Sequence, residues 1–154
     1  ERAIFFAKGV IETVKKLNWA PDIIHVQGWI AMLMPLYCKH YYTDEPILAN
    51  TKVVSSIFNT PFEEPLSSNL IKKLAFDGLD GELTKDLKTP NFSALAKNAI
   101  ANSDGLIIAD TDIDKSVKKE ILSSNKPILH SSSKEGFEED YNEFYTNQIL
   151  KLEK

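Results

Sequence analysis

Three residues at alternate positions, His25, Gln27 and Trp29, close the run Pro-Asp-Ile-Ile-His-Val-Gln-Gly-Trp. Ile23, Ile24 and Val26 flank His25 as a short buried strand would, and the polar cluster falls where that strand gives way to a helix. In an open α/β sheet, ligands collect outside the carboxyl ends of the strands. An imidazole and an amide placed there bind and orient hydroxyl groups, so a sugar or a nucleotide is the ligand class to expect. The competing reading is structural: a core histidine bonded to backbone, with a tryptophan anchoring a helix start. Asn59 stands just after a second buried strand, where it either meets ligand or organises the next loop through an Asx-turn. Asp110 and His130 mark the ends of two further strands. His25, Gln27, Asn59, Asp110 and His130 could therefore share one rim.

Other chemistries fail on spacing. Glu63 and Glu64 are adjacent, whereas a glycosidase needs two carboxylates facing each other across a bond. Asp110, Asp112 and Asp114 alternate without the glycine and the closing glutamate of a calcium loop, and helix capping accounts for them. With six glycines there is no Gly-rich phosphate loop, although a helix N-terminus can still hold an anion. There is no G-x-S-x-G elbow. The one cysteine, Cys38, lies in an apolar helical run, which predicts packing rather than nucleophilic chemistry.

The elements that would position the rim alternate between the two periodicities. Ile4, Phe5, Val10, Ile11, Val14 and Leu17 predict a helix over 2–17, closed by Lys15 and Lys16. A strand over 23–26 follows Pro21, then a very apolar helix from Trp29 to about Tyr42, with Pro35 near its start. Lys52–Phe58 reads as a buried strand and Asn59–Pro65 as a loop with two prolines. Ser67 or Ser68 caps a helix through Leu74 and Ala75, and 77–90 reads as an irregular excursion. Phe92–Asn102 is helical from about Ser93, Asp104–Ala109 a strand, Asp112–Leu122 a helix, Pro127–Leu129 a short strand, His130–Ser133 a loop and Glu135–Leu150 the last helix. Strands separated by helices imply a parallel sheet with right-handed crossovers.

Composition narrows the setting. A chain of 154 residues with 43% hydrophobic and 26% charged residues is one domain with a sizeable core. The net charge of −4 argues against a nucleic-acid partner. A lone cysteine fits a reducing cytoplasm, and no apolar run approaches the roughly 18 residues of a membrane span, so the expected location is cytoplasmic. The chain opens in mid-helix at a glutamate, as a fragment of a longer protein would, while its charged Lys-Leu-Glu-Lys end reads as a natural stop.

Three stretches resemble the starch and glycogen synthase family of retaining glucosyltransferases. Lys-Leu-Asn-Trp-Ala-Pro-Asp-Ile-Ile-His, Lys16 to His25, is similar to the family's approach to its His-Asp-Trp stretch. The opening Glu-Arg-Ala-Ile-Phe-Phe resembles the helix ahead of it, and Pro35-Leu36-Tyr37 continues the likeness. Val54–Asn59 is similar to the family's strand ending in His-Asn, and Leu95–Asp104 to the helix and Ala-Asp turn before the last strands of the N-terminal domain. The first histidine is kept as His25 and the tryptophan as Trp29. Gln27 replaces the second histidine, Gly28 the aspartate, and Ile30 stands where many bacterial members place an active-site histidine. Phe58 replaces the histidine before the retained Asn59, and Lys97 is retained ahead of Asn98 and Ala99.

The resemblance implies an α/β fold, an incomplete Rossmann-like parallel sheet with helices on both faces, residues 1–154 forming the later part of an N-terminal catalytic domain. The implied reaction moves glucose from ADP-glucose to the end of an α-1,4-glucan, with retention. Substrate-binding residues would be His25, Gln27, Asn59 and Lys97, acting by hydrogen bonding and positioning; no catalytic residue, metal or cofactor is expected. Partners would be the α-glucan, the sugar nucleotide and a partner chain that completes the sheet, with no nucleic acid and no membrane. Nothing in the sequence corresponds to the family's Lys-x-Gly-Gly-Leu loop or to its second Rossmann domain, so the chain alone is expected to be inactive. The alternative is a degenerate domain that binds glucan or a partner enzyme without catalysis, favoured by Ile30 and Phe58. An unrelated small nucleotide-binding domain is the third reading.

Overall fold

The computed structural model describes residues 1–130 and 137–152. Four strands, β1 (Ile23–Gln27), β2 (Lys52–Ile57), β3 (Gly105–Ile108) and β4 (Ile128–His130), form one sheet in the order β1-β2-β3-β4. Every pairing is parallel, so all four carboxyl ends, at Gln27, Ile57, Ile108 and His130, lie along one edge. The chain is the α/β parallel-sheet domain expected from the alternation of its elements.

Strand periodicity divides the side chains between two unequal faces. Val26, Ile57, Leu106 and Ile108 point into the larger core, where they meet α1 (Arg2–Lys16), α2 (Met34–His40), α3 (Asn69–Phe76), α4 (Phe92–Asn102) and α5 (Lys115–Ser123). Val54 and Ile107 point the other way, against a single C-terminal segment: α6 (Phe137–Glu143), which runs on as a π-helical turn over Phe144–Ile149. Gly105 on β3 makes this second contact possible, because a Cβ there would collide with Ile149 Cδ1 and press on Phe144. β3 is buried along its length, as its Gly-Leu-Ile-Ile sequence requires.

Several boundaries differ from the sequence expectations, each for a local reason. The helix expected over Trp29–Tyr42 is split into a 3-10 turn, Trp29–Ala31, and α2 beginning at Met34. Pro35 explains the split, since its ring clashes with the carbonyl four residues back and is tolerated only in a helix's first turn. Residues 81–88 of the expected irregular stretch form 3-10 structure. Asn91, not Ser93, caps α4, its side chain accepting the Ala94 N–H at 2.9 Å. Asp114 caps α5 by accepting from Ser116 N and Val117 N, so Asp112 lies outside that helix. His130 ends β4 rather than opening a loop. The rest of that loop, Ser131–Ser133, and the expected helix start at Glu135 lie outside the described residues.

Asp104 fastens the sheet to α2. Its carboxylate accepts from Lys39 Nζ at 2.7 and 2.9 Å and from the Val53 N–H at 2.7 Å. The Ser-Asp turn is thus a clamp holding the start of β3 against β2.

Candidate functional site

β1 leaves the sheet through Gly28, whose φ of 75° and ψ of 156° belong to a region essentially closed to side chains. The sharp turn swings Trp29 back toward the loop after β2, where its ring meets Phe62 edge to face, centroids 5.7 Å apart. Phe62 in turn meets Phe92 at the start of α4, at 6.3 Å. This aromatic ridge runs along the carboxyl ends of the strands.

Beside the ridge lies a cleft of about 380 Å³, lined by Asn59, Phe62, Asn91, Ser93, Asp112 and Asp114 among others. Asn59 is held over it by its own N–H, which donates to Asp110 Oδ2 at 2.6 Å. Two strand ends expected to share a rim are therefore joined directly. The lining offers amide and hydroxyl groups together with carboxylates. The hydrogen bond from Ser116, then those from the backbone of Val117 and Ser116, hold the Asp114 carboxyl below the usual range. Such a surface accepts hydrogen bonds from hydroxyl groups and repels phosphates.

His25 sits differently. Its ring points to the second face of the sheet, with Nε2 2.7 Å from Ser56 Oγ and Nδ1 2.8 Å from the Tyr145 hydroxyl. Tyr141 and Tyr145 flank the ring, with centroids 5.8 and 5.9 Å away. A neutral imidazole, donating from one nitrogen and accepting at the other, satisfies both neighbours. Burial lowers the pKa of His25 and pushes Tyr145 up to about 12. Gln27, two residues on, is exposed at the strand's end. Lys97 is half-buried on α4, and its charge contributes to the lowered pKa of Asp114. The structure thus brings Asn59 and Asp110 together at the rim and leaves Gln27 open beside them. His25 is committed to the C-terminal helix, and Lys97 faces the start of α5.

The residues that sequence reasoning missed are Ser56, Asn91 and Tyr145. Asn91, between Pro90 and an apolar run, carried a recognisable N-cap signal. Tyr145 belongs to a visible i, i+4 stripe, Phe137-Tyr141-Tyr145, with successive ring centroids 5.9 and 6.0 Å apart; nothing in the sequence says that the stripe meets β1. Burial pushes the Cys38 thiol up to about 12, which agrees with packing rather than nucleophilic chemistry. Among the described residues no cluster of three or more His, Cys, Asp or Glu side chains could hold a metal ion. No helix there is long and apolar enough to cross a membrane.

The His25 arrangement makes stability depend on pH. A histidine whose pKa is lower in the folded than in the unfolded chain contributes fully above the unfolded value, near 6.5, and that contribution is lost as the pH falls below it. The groups facing the ring are the Ser56 hydroxyl and the phenols of Tyr141 and Tyr145; burial pushes Tyr145 up, so its phenol stays neutral in that window. Urea midpoints measured at about pH 7.5 and about pH 5.5 should therefore fall less for His25→Gln than for the native chain. Equal falls would show that protonation of His25 is not coupled to folding.

Comparisons with known proteins agree on one family. A profile of the starch synthase catalytic domain matches residues 1–140. The chain is 31% identical over 127 residues to a glycogen synthase of Clostridium perfringens, covering 81% of this chain and 26% of that protein. It is 31% identical over 139 residues to a glycogen synthase of Chlorobium luteolum, covering 84% and 28%. A glycogen synthase of Fervidobacterium nodosum is 41% identical over 63 residues, or 41% of this chain and 13% of that protein. The chain spans about a quarter of the length of the relatives that it matches over most of its own. No solved structure matches it.

Proposed function

The chain belongs to the starch synthase catalytic domain family, and on that premise we propose that it is the later part of an N-terminal glucosyltransferase domain, the part that holds the acceptor glucan. The observation that carries this reading is the cleft at Asn59. Its amide, hydroxyl and carboxylate groups suit the hydroxyl edges of a glucan, while the carboxylates of Asp112 and Asp114 make it a poor seat for a diphosphate. The diphosphate of ADP-glucose would be bound outside this cleft. Transfer needs preorganised charges around both the departing phosphate and the developing sugar cation, and an acidic half-cleft offers them only on the acceptor side. Asn59 and Gln27 would position the acceptor, with Lys97 acting through Asp114.

Two measurements test this. Titration of the chain with maltoheptaose, followed by amide chemical shifts, should move Asn59 and Ser93, and Asn59→Ala should weaken binding about tenfold, or about 1.4 kcal/mol. Glucosyl transfer from labelled ADP-glucose to glycogen should be undetectable for the chain alone. Maltoheptaose binding that leaves Asn59 unmoved would remove the site, and transfer by the chain alone would remove the division of labour.

One observation favours a non-catalytic glucan-binding or partner-binding module. Both ring nitrogens of His25 are taken by Ser56 and Tyr145, so His25 reaches no sugar while the C-terminal helix is docked. Transfer by a longer polypeptide that carries this chain would decide for the enzyme; a folded, inactive one would decide for the module.

A further inference from the structure

We infer that Asp110 is a positioning residue for Asn59: its carboxylate fixes the Asn59 backbone, and with it the aim of the amide that would meet a glucan hydroxyl. The inference rests on the reading of the Asn59 cleft as the acceptor site. Asp110 touches no ligand in this scheme and acts only through Asn59.

The pairing of β2 with β3 ends in two steps. Its last backbone bond is donated by the Ala109 N–H to the Ile57 carbonyl, at 3.1 Å. A parallel ladder takes its donors from the two strands at even spacing, so the next bond would run from the Asn59 N–H to a backbone carbonyl of the neighbouring chain. That N–H instead reaches a side chain, Asp110 Oδ2, at 2.6 Å. The carboxylate thus catches the first donor beyond the ladder. There the two chains part, and Asn59 and Phe62 on one side face Asp112 and Asp114 on the other across the cleft.

The loop that follows has few other anchors. Pro61 and Pro65 have no N–H, and among the described residues no other hydrogen bond reaches the backbone of 59–65. Phe62 meets the rings of Trp29 and Phe92, which holds the middle of the loop. Just past its far end the Leu66 N–H donates to the Pro90 carbonyl at 3.0 Å. The end that carries Asn59 is left to Asp110. A side chain on an untied backbone loses freedom when it binds, and that cost weakens affinity. A hydrogen bond to a carboxylate, stronger than one to a neutral acceptor, removes the freedom beforehand. Asp110 is half-buried, so water competes less for its oxygens than at a fully exposed site.

Maltoheptaose titrations followed by amide shifts test this on the native chain, Asp110→Ala, Asp110→Asn, Asn59→Ala and the combination of Asp110→Ala with Asn59→Ala. In Asp110→Ala the Asn59 amide proton should move upfield and exchange faster before any sugar is added, and maltoheptaose affinity should fall about fivefold. The urea midpoint of that variant should stay close to native, because the freed N–H can turn to water. Asp110→Asn keeps an oxygen acceptor in place and should bind within about twofold of the native chain. In the Asn59→Ala background, loss of Asp110 should weaken binding no further, since the amide it positions is gone. An unmoved Asn59 amide in Asp110→Ala, or an equal loss of affinity with and without the Asn59 side chain, overturns the inference and leaves the acceptor site standing. So does a collapse of the urea midpoint in Asp110→Ala, which would make the residue structural, or a failure of Asp110→Asn to restore binding. A native chain whose Asn59 is unmoved by maltoheptaose overturns the acceptor reading itself, and the inference with it.

Discussion

Phe144→Ala will release the C-terminal segment from the sheet while leaving the rest of the domain folded. The second face of the sheet has a small core, Val54, Ile107, Phe144 and Ile149, and Phe144 is its largest member, 1% exposed. Truncating a buried phenylalanine to alanine costs about 3–5 kcal/mol when the surroundings cannot collapse into the space. Here the segment lies after β4, so it can leave the sheet at a cost set by its few contacts, without disturbing α1–α5 on the other face. Hydrogen exchange should show the amides of 137–149 losing protection while those of β2 and β3 keep theirs. The pKa of His25, held down by burial under Tyr141 and Tyr145, should rise toward its ordinary value. A single cooperative loss of protection across both faces would show that the segment belongs to the main folding unit, and the prediction would fail.

The same segment shows where sequence reading reached and where it stopped. The order and type of the main elements were legible because each buried stretch carries its own period. Ile23–Val26 and Lys52–Ile57 are short and β-branched, while α1 repeats its apolar residues at helical spacing. Boundaries failed where a single residue's stereochemistry governs. Pro35 delayed α2, and Asn91 and Asp114 outcompeted Ser93 and Asp112 as caps because their side chains reach free N–H groups of the next turn.

The rim was half legible. Asn59 and Asp110 both follow buried strands, which predicts proximity in a parallel sheet, and one hydrogen bond joins them. The fate of His25 was not legible, because it depends on Tyr145, 120 residues away in sequence. Strand periodicity assigns His25 to the face opposite Val26 but is silent about what covers that face. Gly28 is the instructive substitution. Where the resemblance expects an aspartate, the backbone adopts a conformation that only glycine takes without strain, and that turn sets Trp29 on the aromatic ridge.

The second large effect is expected far from the rim, at Asp77. Tyr37 is wholly buried in α2, and its hydroxyl donates to Asp77 Oδ2 at 2.6 Å, while Lys8 Nζ donates to Oδ1 at 2.8 Å. One carboxylate, following the last residue of α3, thereby ties α1, α2 and α3 together. Burial, then the hydrogen bond to Asp77, raises the pKa of Tyr37, so the phenol stays protonated and always needs an acceptor. Burial works against the Lys8 ammonium, but the hydrogen bonds with Asp77 and Tyr41 outweigh it and leave its pKa raised. Asp77→Ala strands the phenol in the core, at a cost of roughly 3 kcal/mol. Lys8 suffers less, being able to turn to water and to the Tyr41 ring 4.5 Å away. Tyr37→Phe removes the donor instead and leaves Asp77 with its lysine, so about 1 kcal/mol is expected. Once Tyr37 is phenylalanine, losing Asp77 no longer strands a hydroxyl, and the double variant should be less destabilised than the sum of the two single ones. Urea denaturation of the four proteins measures that difference directly. Additive losses would mean that the carboxylate stabilises the helices through Lys8 alone.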